Sequence, residues 1–336
     1  MNESELLARV YARSAGLSRF GQVVAGPGHD CAVIQVGGGA GGAAGGGAGG
    51  EAGGRQLLLK IDQVVMGRHV RPGTPMALIG RKAVARALSD IAAAGGRPLA
   101  AMAGAVVPMG GGSGQRAGGT GDGGAGKGGV GIDADALFDA VFEWAANWGC
   151  PLVGGDISSG SELVVSVAVV GLPHERRGPV LRSGARPGDS VWVTGLLGGS
   201  FDAATGLGRH LTFEPRLAEA AWLCDVLGAD LRAMMDVSDG LGRDAGRLGK
   251  ASGVSVRVEA GAVPRNEGVD WRRAMSDGED YELLFVVGAG RELPSATPTG
   301  VRLTRIGKVE AAGPACGVEV EGRMEDATEW GWEHRG

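Results

Sequence analysis

Residues 74–108 read TPMALIGRKAVARALSDIAAAGGRPLAAMAGAVVP, and this stretch decides the fold class. Proline is tolerated at the first helical position, so Thr74 and Pro75 open a helix. That helix runs to about Ala94 and stops at Gly95 and Gly96. The apolar run 99–107 that follows reads as a strand. Upstream lie a first helix (4–14) and strands at 31–36 and 56–61; downstream come a helix at 133–148 and strands at 152–154 and 162–171. A linker at 174–189, HERRGPVLRSGARPGD, separates this unit from a second. There the order is a strand at 190–194, helices near 200–207 and 215–227, a short strand at 233–235, a helix at 241–251, then strands at 254–258 and 283–287 and a final one at 302–309. Helices and strands alternate in both halves. The class is therefore α/β (or α+β), in two domains (1–173 and 174–336) with mixed sheets flanked by helices.

Charge and composition exclude several functions. The 336 residues carry 33 Lys plus Arg against 38 Asp plus Glu, a formal net charge of -5, which offers no basic field for a nucleic-acid backbone. Cys31, Cys150, Cys224 and Cys316 lie far apart with no CxxC pair, so neither a zinc ribbon nor a disulfide scaffold is expected. The start, MNESELLARV, lacks the pattern of a signal peptide, and no apolar run approaches the length of a membrane span. A soluble cytoplasmic protein with reduced thiols and no membrane partner is the expectation. Glycine is abundant, with 66 residues, and two tracts (37–54 and 110–131) are expected to be flexible surface insertions in the first domain. Inside the second, GDGGAGKG (121–128) imitates a phosphate loop, but Gly128 stands where a magnesium-binding hydroxyl is needed, and Gly/Ala sequence lies on both sides of it.

Six aspartates carry the chemistry. Asp30 lies in PGHDCAVI, Asp62 in LLLKIDQVV, Asp90 in ARALSDIAAAGG and Asp156 in PLVGGDISSG, while Asp236 and Asp239 share MMDVSDGL. Each adjoins an apolar strand or a small-residue helix face, and few lysines or arginines are their sequence neighbours. A buried carboxylate must be paired, capped or metal-bound. Ser238 or Asp239 reads as the cap of the helix that starts near Leu241, and Asp30 and Asp62 read as strand-end turn residues. Asp90 sits mid-helix, where neither explanation serves. The set as a whole points to a shared cation. Magnesium is favoured, because it takes oxygen ligands and a few carboxylates plus substrate phosphates. No calcium loop and no zinc-ligand spacing occurs.

These motifs, taken in order with LRSGARPGDSVWVTGLLG (181–198), SDGEDYELLF (276–285), RIGKV (305–309) and GWEH (331–334), resemble the thiamine-monophosphate kinase family, within the superfamily that includes aminoimidazole ribonucleotide synthetase. The resemblance implies ATP-dependent phosphorylation of thiamine monophosphate to thiamine diphosphate, a homodimer, and a site in the cleft between the domains. It implies magnesium on Asp30, Asp62, Asp90, Asp156, Asp236 and Asp239, with Asp30, Asp62 and Asp239 catalytic through the metal. Gly155, Asp156, Arg182 and Ser238 would meet ATP, and His69, Glu279 and Trp332 the thiamine substrate. The chain departs from the family pattern at His29, at Lys60, Ile61 and Gln63 around Asp62, at Ile157 and Ser158, and at Glu333 and Arg335. Two alternatives stay open: a related ATP-dependent enzyme with another acceptor, and a nucleotide-binding protein whose metal site is degraded.

Overall fold

The computed structural model describes residues 3–14, 16–37, 55–108 and 132–333. The glycine tracts (apart from Gly37), the phosphate-loop imitation and Arg335 lie outside the described residues. After helix α1 (Glu3–Ser14), the first half holds strands β1 (Val23–Ala25), β2 (Ala32–Val36) and β3 (Arg55–Val65), then helix α2 (Met76–Ala93) and strand β4 (Gly96–Val107). Helix α3 (Ala134–Asn147) and strands β5 (Leu152–Ser159) and β6 (Val164–Pro173) complete it. The strands form one six-stranded sheet in the order β1-β2-β3-β6-β4-β5. Alternation along β6 explains how it packs: Val165, Val167 and Val169 turn to one side and are buried with Val84, Leu88 and Ile91 of α2 and Leu137 and Val141 of α3. The opposite face of this sheet is open. Ile61 is 62% exposed, Met102 56% and Val153 67%.

The second half contains β7 (Ser190–Thr194), α4 (Leu217–Leu227), β8 (Leu231–Asp236), α5 (Leu241–Ser252), β9 (Ser255–Glu259), α6 (Trp271–Ser276) and β10 (Leu283–Val287), followed by β11 (Leu303–Glu310), β12 (Cys316–Val320) and β13 (Arg323–Asp326). They build a seven-stranded sheet in the order β13-β12-β9-β11-β7-β10-β8. Every residue of β7 and β10 is buried, which suits their near-continuous apolar sequences SVWVT and LLFVV to the interior of the sheet.

Several local expectations are corrected. Residues 200–207 form no helix: turns rich in glycine lead instead to a single 3-10 turn at Arg209–Leu211. The strand at 302–309 is not the last, since β12 and β13 follow it as a hairpin. The short strand expected at 152–154 continues to Ser159, and β1 was not anticipated. Pro75 is the N-cap residue of α2, as the sequence reading of Thr74-Pro75 as its cap expected. Among the described residues no helix is long and apolar enough to cross a membrane.

Helix α2 joins the two halves. Its Val84, Leu88 and Ile91 belong to the first core, whereas Ala92 and Ala93 pack with Trp192, Leu223 and Phe285 of the second. Ser89 Oγ also donates to Asp236 Oδ2 at 2.6 Å, tying the helix to the end of β8. Leu88 is fully buried, so Leu88→Ala removes packing that the surroundings refill only in part. Denaturant unfolding is expected to show a loss of about 2–5 kcal/mol.

Candidate active site

Three of the six aspartates meet where α2, β8 and the start of β2 converge. Carboxylate oxygens of Asp30, Asp90 and Asp236 lie within 4.8 Å of one another, and all three residues are buried. Asp30 Oδ2 has no hydrogen-bond partner. An unsatisfied buried carboxylate oxygen facing two other carboxylates is costly for the protein alone and suits a hard divalent cation. Electrostatics agree with this. Burial pushes the Asp90 carboxyl well above the usual carboxylate range, against the pull of the Lys60 ammonium and with the help of Asp236. Burial and the charge of Asp30 push Asp236 up to about 6.

The expected scarcity of basic partners is corrected here, because cations arrive from distant parts of the chain. Arg182 donates to Asp30 Oδ1 from Nε at 3.1 Å and Nη2 at 2.6 Å. Lys60 Nζ stands 2.8 Å from Asp90 and 3.9 Å from Asp62, so it bridges two of the carboxylates. Arg86 reaches Asp62 at 3.5 Å, and Arg247 reaches Asp239 at 2.5 Å. Asp62 thereby stays below the usual range: burial works against its charge, but Arg86 and then Lys60 outweigh it. Asp62 lies within β3 and is not a turn residue.

Asp156 stands apart from this group, on the exposed strand β5 at the edge of the first sheet. Gly155 beside it is required by strand pairing, since a Cβ there would lie 1.9 Å from the Ala103 carbonyl oxygen.

The remaining candidates gather in one cavity of about 180 Å³, lined by His69, Ser238, Asp239, Glu279 and Trp332. Backbone hydrogen bonds hold three separate sequence motifs together at its wall. Glu279 N–H donates to Ser238 O at 2.7 Å, Tyr281 N–H to Val237 O at 2.8 Å, and Trp332 N–H to Asp239 O at 2.8 Å. Gly278 makes the first contact feasible: its φ is +71°, and a Cβ would press on the Ser238 carbonyl oxygen at 2.9 Å. Glu279 and Tyr281 themselves hold φ of 57° and 52°, unusual for side-chain-bearing residues. Capping of α5 is the reverse of the expected one. Gly240 is the cap residue, and Asp244 inside the helix accepts the amides of Ser238, Asp239 and Gly240 at 3.0, 2.9 and 3.2 Å. Both side chains that were read as caps therefore line the cavity instead. His69 follows β3 through a tight turn, and its Nδ1 accepts the Val65 amide at 3.0 Å.

Comparison with known proteins gives this geometry a family. The family model described as AIR synthase related protein, N-terminal domain, matches residues 28–172. A thiamine-monophosphate kinase of Rhodopirellula baltica is 32% identical over 320 residues, covering 91% of this chain and 89% of the relative. One from Halobacterium salinarum is 34% identical over 295 residues, covering 82% and 90%. The chain belongs to the thiamine-monophosphate kinase family. The solved structure of AaThiL complexed with AMPPCP and TMP superposes with a TM-score of 0.73 at 25% identity, covering 99% of this chain and 97% of that one.

For this member of the thiamine-monophosphate kinase family, sequence reading missed Lys82, Arg86, His210 and Tyr281. Lys82 is fully buried, pairs with Glu279, and lies 3.0 Å from the His69 carbonyl oxygen and 2.8 Å from His210 Nδ1. Burial opposes the charge of Glu279, yet Lys82 and a hydrogen bond from His210 hold its carboxyl well below the usual range. A signal was present: Lys82, Arg86 and Asp90 recur at four-residue intervals through an apolar helix, which puts them on one face. Removing one partner of a buried pair strands the other charge. Glu279 is 26% exposed on its side chain, so the cost falls at the low end of the range for buried pairs. Lys82→Met is expected to destabilise by about 3 kcal/mol in denaturant melts. Lys82→Met/Glu279→Gln should recover most of that loss, and additive losses would show that the pair does not couple.

Proposed function

We propose that this protein transfers the γ-phosphoryl group of ATP to thiamine monophosphate, giving thiamine diphosphate and ADP. A phosphate oxygen of thiamine monophosphate forms the new bond to the γ-phosphorus, and the bond from that phosphorus to the β–γ bridging oxygen breaks. The attacking oxygen is already ionised, so no strong general base is required. The observation that carries this reading is the meeting of His69, Glu279 and Trp332 in one cavity with Ser238 and Asp239, whose loop begins at the metal-group residue Asp236. Family membership and the superposition on AaThiL bound to AMPPCP and TMP add support.

In this reading Asp30, Asp90 and Asp236 would hold magnesium, with Asp62 and Asp239 as further carboxylates toward the metal, while Asp156 lies outside this group on the edge strand β5. Bound there, magnesium supplies the positive charge that offsets repulsion between two anionic phosphates. The protein does the positioning. Trp332 offers an aromatic face and Glu279 a carboxylate to the cationic thiamine rings, and His69 meets the substrate phosphate. Arg182, held against Asp30, and Ser238 face the nucleotide, as do Gly155 and Asp156. Residues 1–173 act as the ATP, metal and dimerisation domain, and residues 174–336 complete the site.

A homodimer belongs to the same reading, because the open apolar face of the first sheet, with Ile61, Met102 and Val153, calls for a cover. So does a cytoplasmic location, which suits four free, buried cysteines.

An ADP-release assay tests the activity. Release should require both thiamine monophosphate and magnesium, vanish with EDTA, and fall about 100-fold or more in Asp239→Asn. Release without thiamine monophosphate, or only with another acceptor, would overturn the assignment. Sedimentation should give a dimer, and Met102→Glu should shift it toward monomer.

A further inference from the structure

Two buried donors of the cavity lack partners: the Tyr281 hydroxyl and the Arg86 Nε–H. Both residues line the cavity, and Tyr281 is 2% exposed. Their other contacts are fixed. The Tyr281 ring stacks on Phe213 with centroids 3.9 Å apart and planes 12° apart. Arg86 donates from Nη1 to the Gln63 carbonyl oxygen at 2.8 Å and reaches Asp62 through Nη2 at 3.5 Å. The phenol stays protonated, since burial raises it well above its ordinary value. The two groups are near enough for each to influence the ionisation of the other.

Buried hydroxyls are nearly always satisfied, so the partnerless Tyr281 hydroxyl in the cavity wall, with the Arg86 Nε–H in the same wall, marks a place that a ligand completes. The Arg86 Nε–H can only donate and carries positive charge, and the Tyr281 hydroxyl, which can also accept, has a proton to donate. The matching group is an acceptor with negative charge. The cationic ring of the substrate fits poorly beside a guanidinium, whereas its phosphate fits both donors. We propose that the Tyr281 hydroxyl and the Arg86 Nε–H together bind a phosphate oxygen of the monophosphate substrate. This rests on the phosphorylation reading above and adds two substrate contacts to it.

Tyr281→Phe removes one oxygen and keeps the ring, while Arg86→Lys keeps the charge and removes Nε–H. Isothermal titration with thiamine monophosphate and with thiamine, in the absence of ATP, isolates the phosphate contribution. Each variant should weaken thiamine monophosphate binding by about tenfold or more and leave thiamine binding unchanged. Tyr281→Phe should melt at the same temperature as the native protein or higher, because an unsatisfied hydroxyl is gone. Unchanged affinity for thiamine monophosphate would overturn the proposal. So would equal losses for both ligands, or a lower melting temperature with no phosphate-specific effect, since those are the marks of a packing role. A native protein that binds no thiamine monophosphate would overturn the phosphorylation reading itself. Native binding with unaffected variants would sink only the role of these two donors.

Discussion

Lys82, Arg86, Ser89 and Asp90 follow one another at helical spacing along α2, and each is largely withdrawn from water in a helix whose other residues are apolar or small apart from Arg81, which pairs with Glu214. Charged groups in such a setting are tolerable only if every one finds a partner. The partners come from elsewhere: Glu279 for Lys82, Asp62 for Arg86, Asp236 for Ser89 and Lys60 for Asp90. They lie on β3, at the end of β8 and in the loop before β10. Satisfying one face of one helix therefore fixes how the two halves of the molecule meet, and the candidate site lies along that junction.

The same economy shapes the wall of the cavity. Val237 to Asp239, Gly278 to Tyr281 and Trp332 are joined by main-chain hydrogen bonds, and the Glu279 and Tyr281 side chains add a pair with Lys82 and a stack on Phe213. Two residues hold positive φ there, a strain that the surrounding bonds over-determine. Beneath them Asp280 and Glu282 point the other way. Asp280 accepts from the amide of Gly198 and the hydroxyl of Ser200, and Glu282 is paired with Arg209 and Arg216. Alternate residues of one short segment thus serve the cavity and its foundation.

The carboxylate group obeys a different rule. Burial and the charges of neighbouring acids raise the proton affinity of Asp90 and Asp236, and nearby cations such as Lys60 and Arg182 offset only part of that repulsion. Lys60 stands where the family pattern has a hydroxyl residue, and its ammonium between Asp62 and Asp90 adds fixed charge to a region built for cations. The altered segment around Asp62 thereby becomes intelligible as a change in how charge is balanced.

Much of this was legible in the sequence. Hydrophobic periodicity and glycine stops located most helices and strands, because local patterning and the need to bury one face determine them. Asp90 in mid-helix had no local explanation, and the structure places it with Asp30 and Asp236; the ordered motifs identified the family. Residues 200–207 failed as a helix because Asp202 turns the chain, accepting from the Ala204 amide and the Thr205 hydroxyl, and the preceding Gly198 and Gly199 amides donate to Asp280 and Asp277. The cap of α5 was misread for a similar reason: Asp244 reaches backward, and its burial decides the matter. Lys82, Arg86 and Tyr281 went unnoticed because a polar residue in an apolar helix or strand end acquires meaning only from the partner that meets it. The sequence by itself determined the elements, the family and the list of acids. Which acids lie together, which arginines pair with them and which donors remain unpaired were decided only by the tertiary structure, since those are distances between residues far apart in the chain.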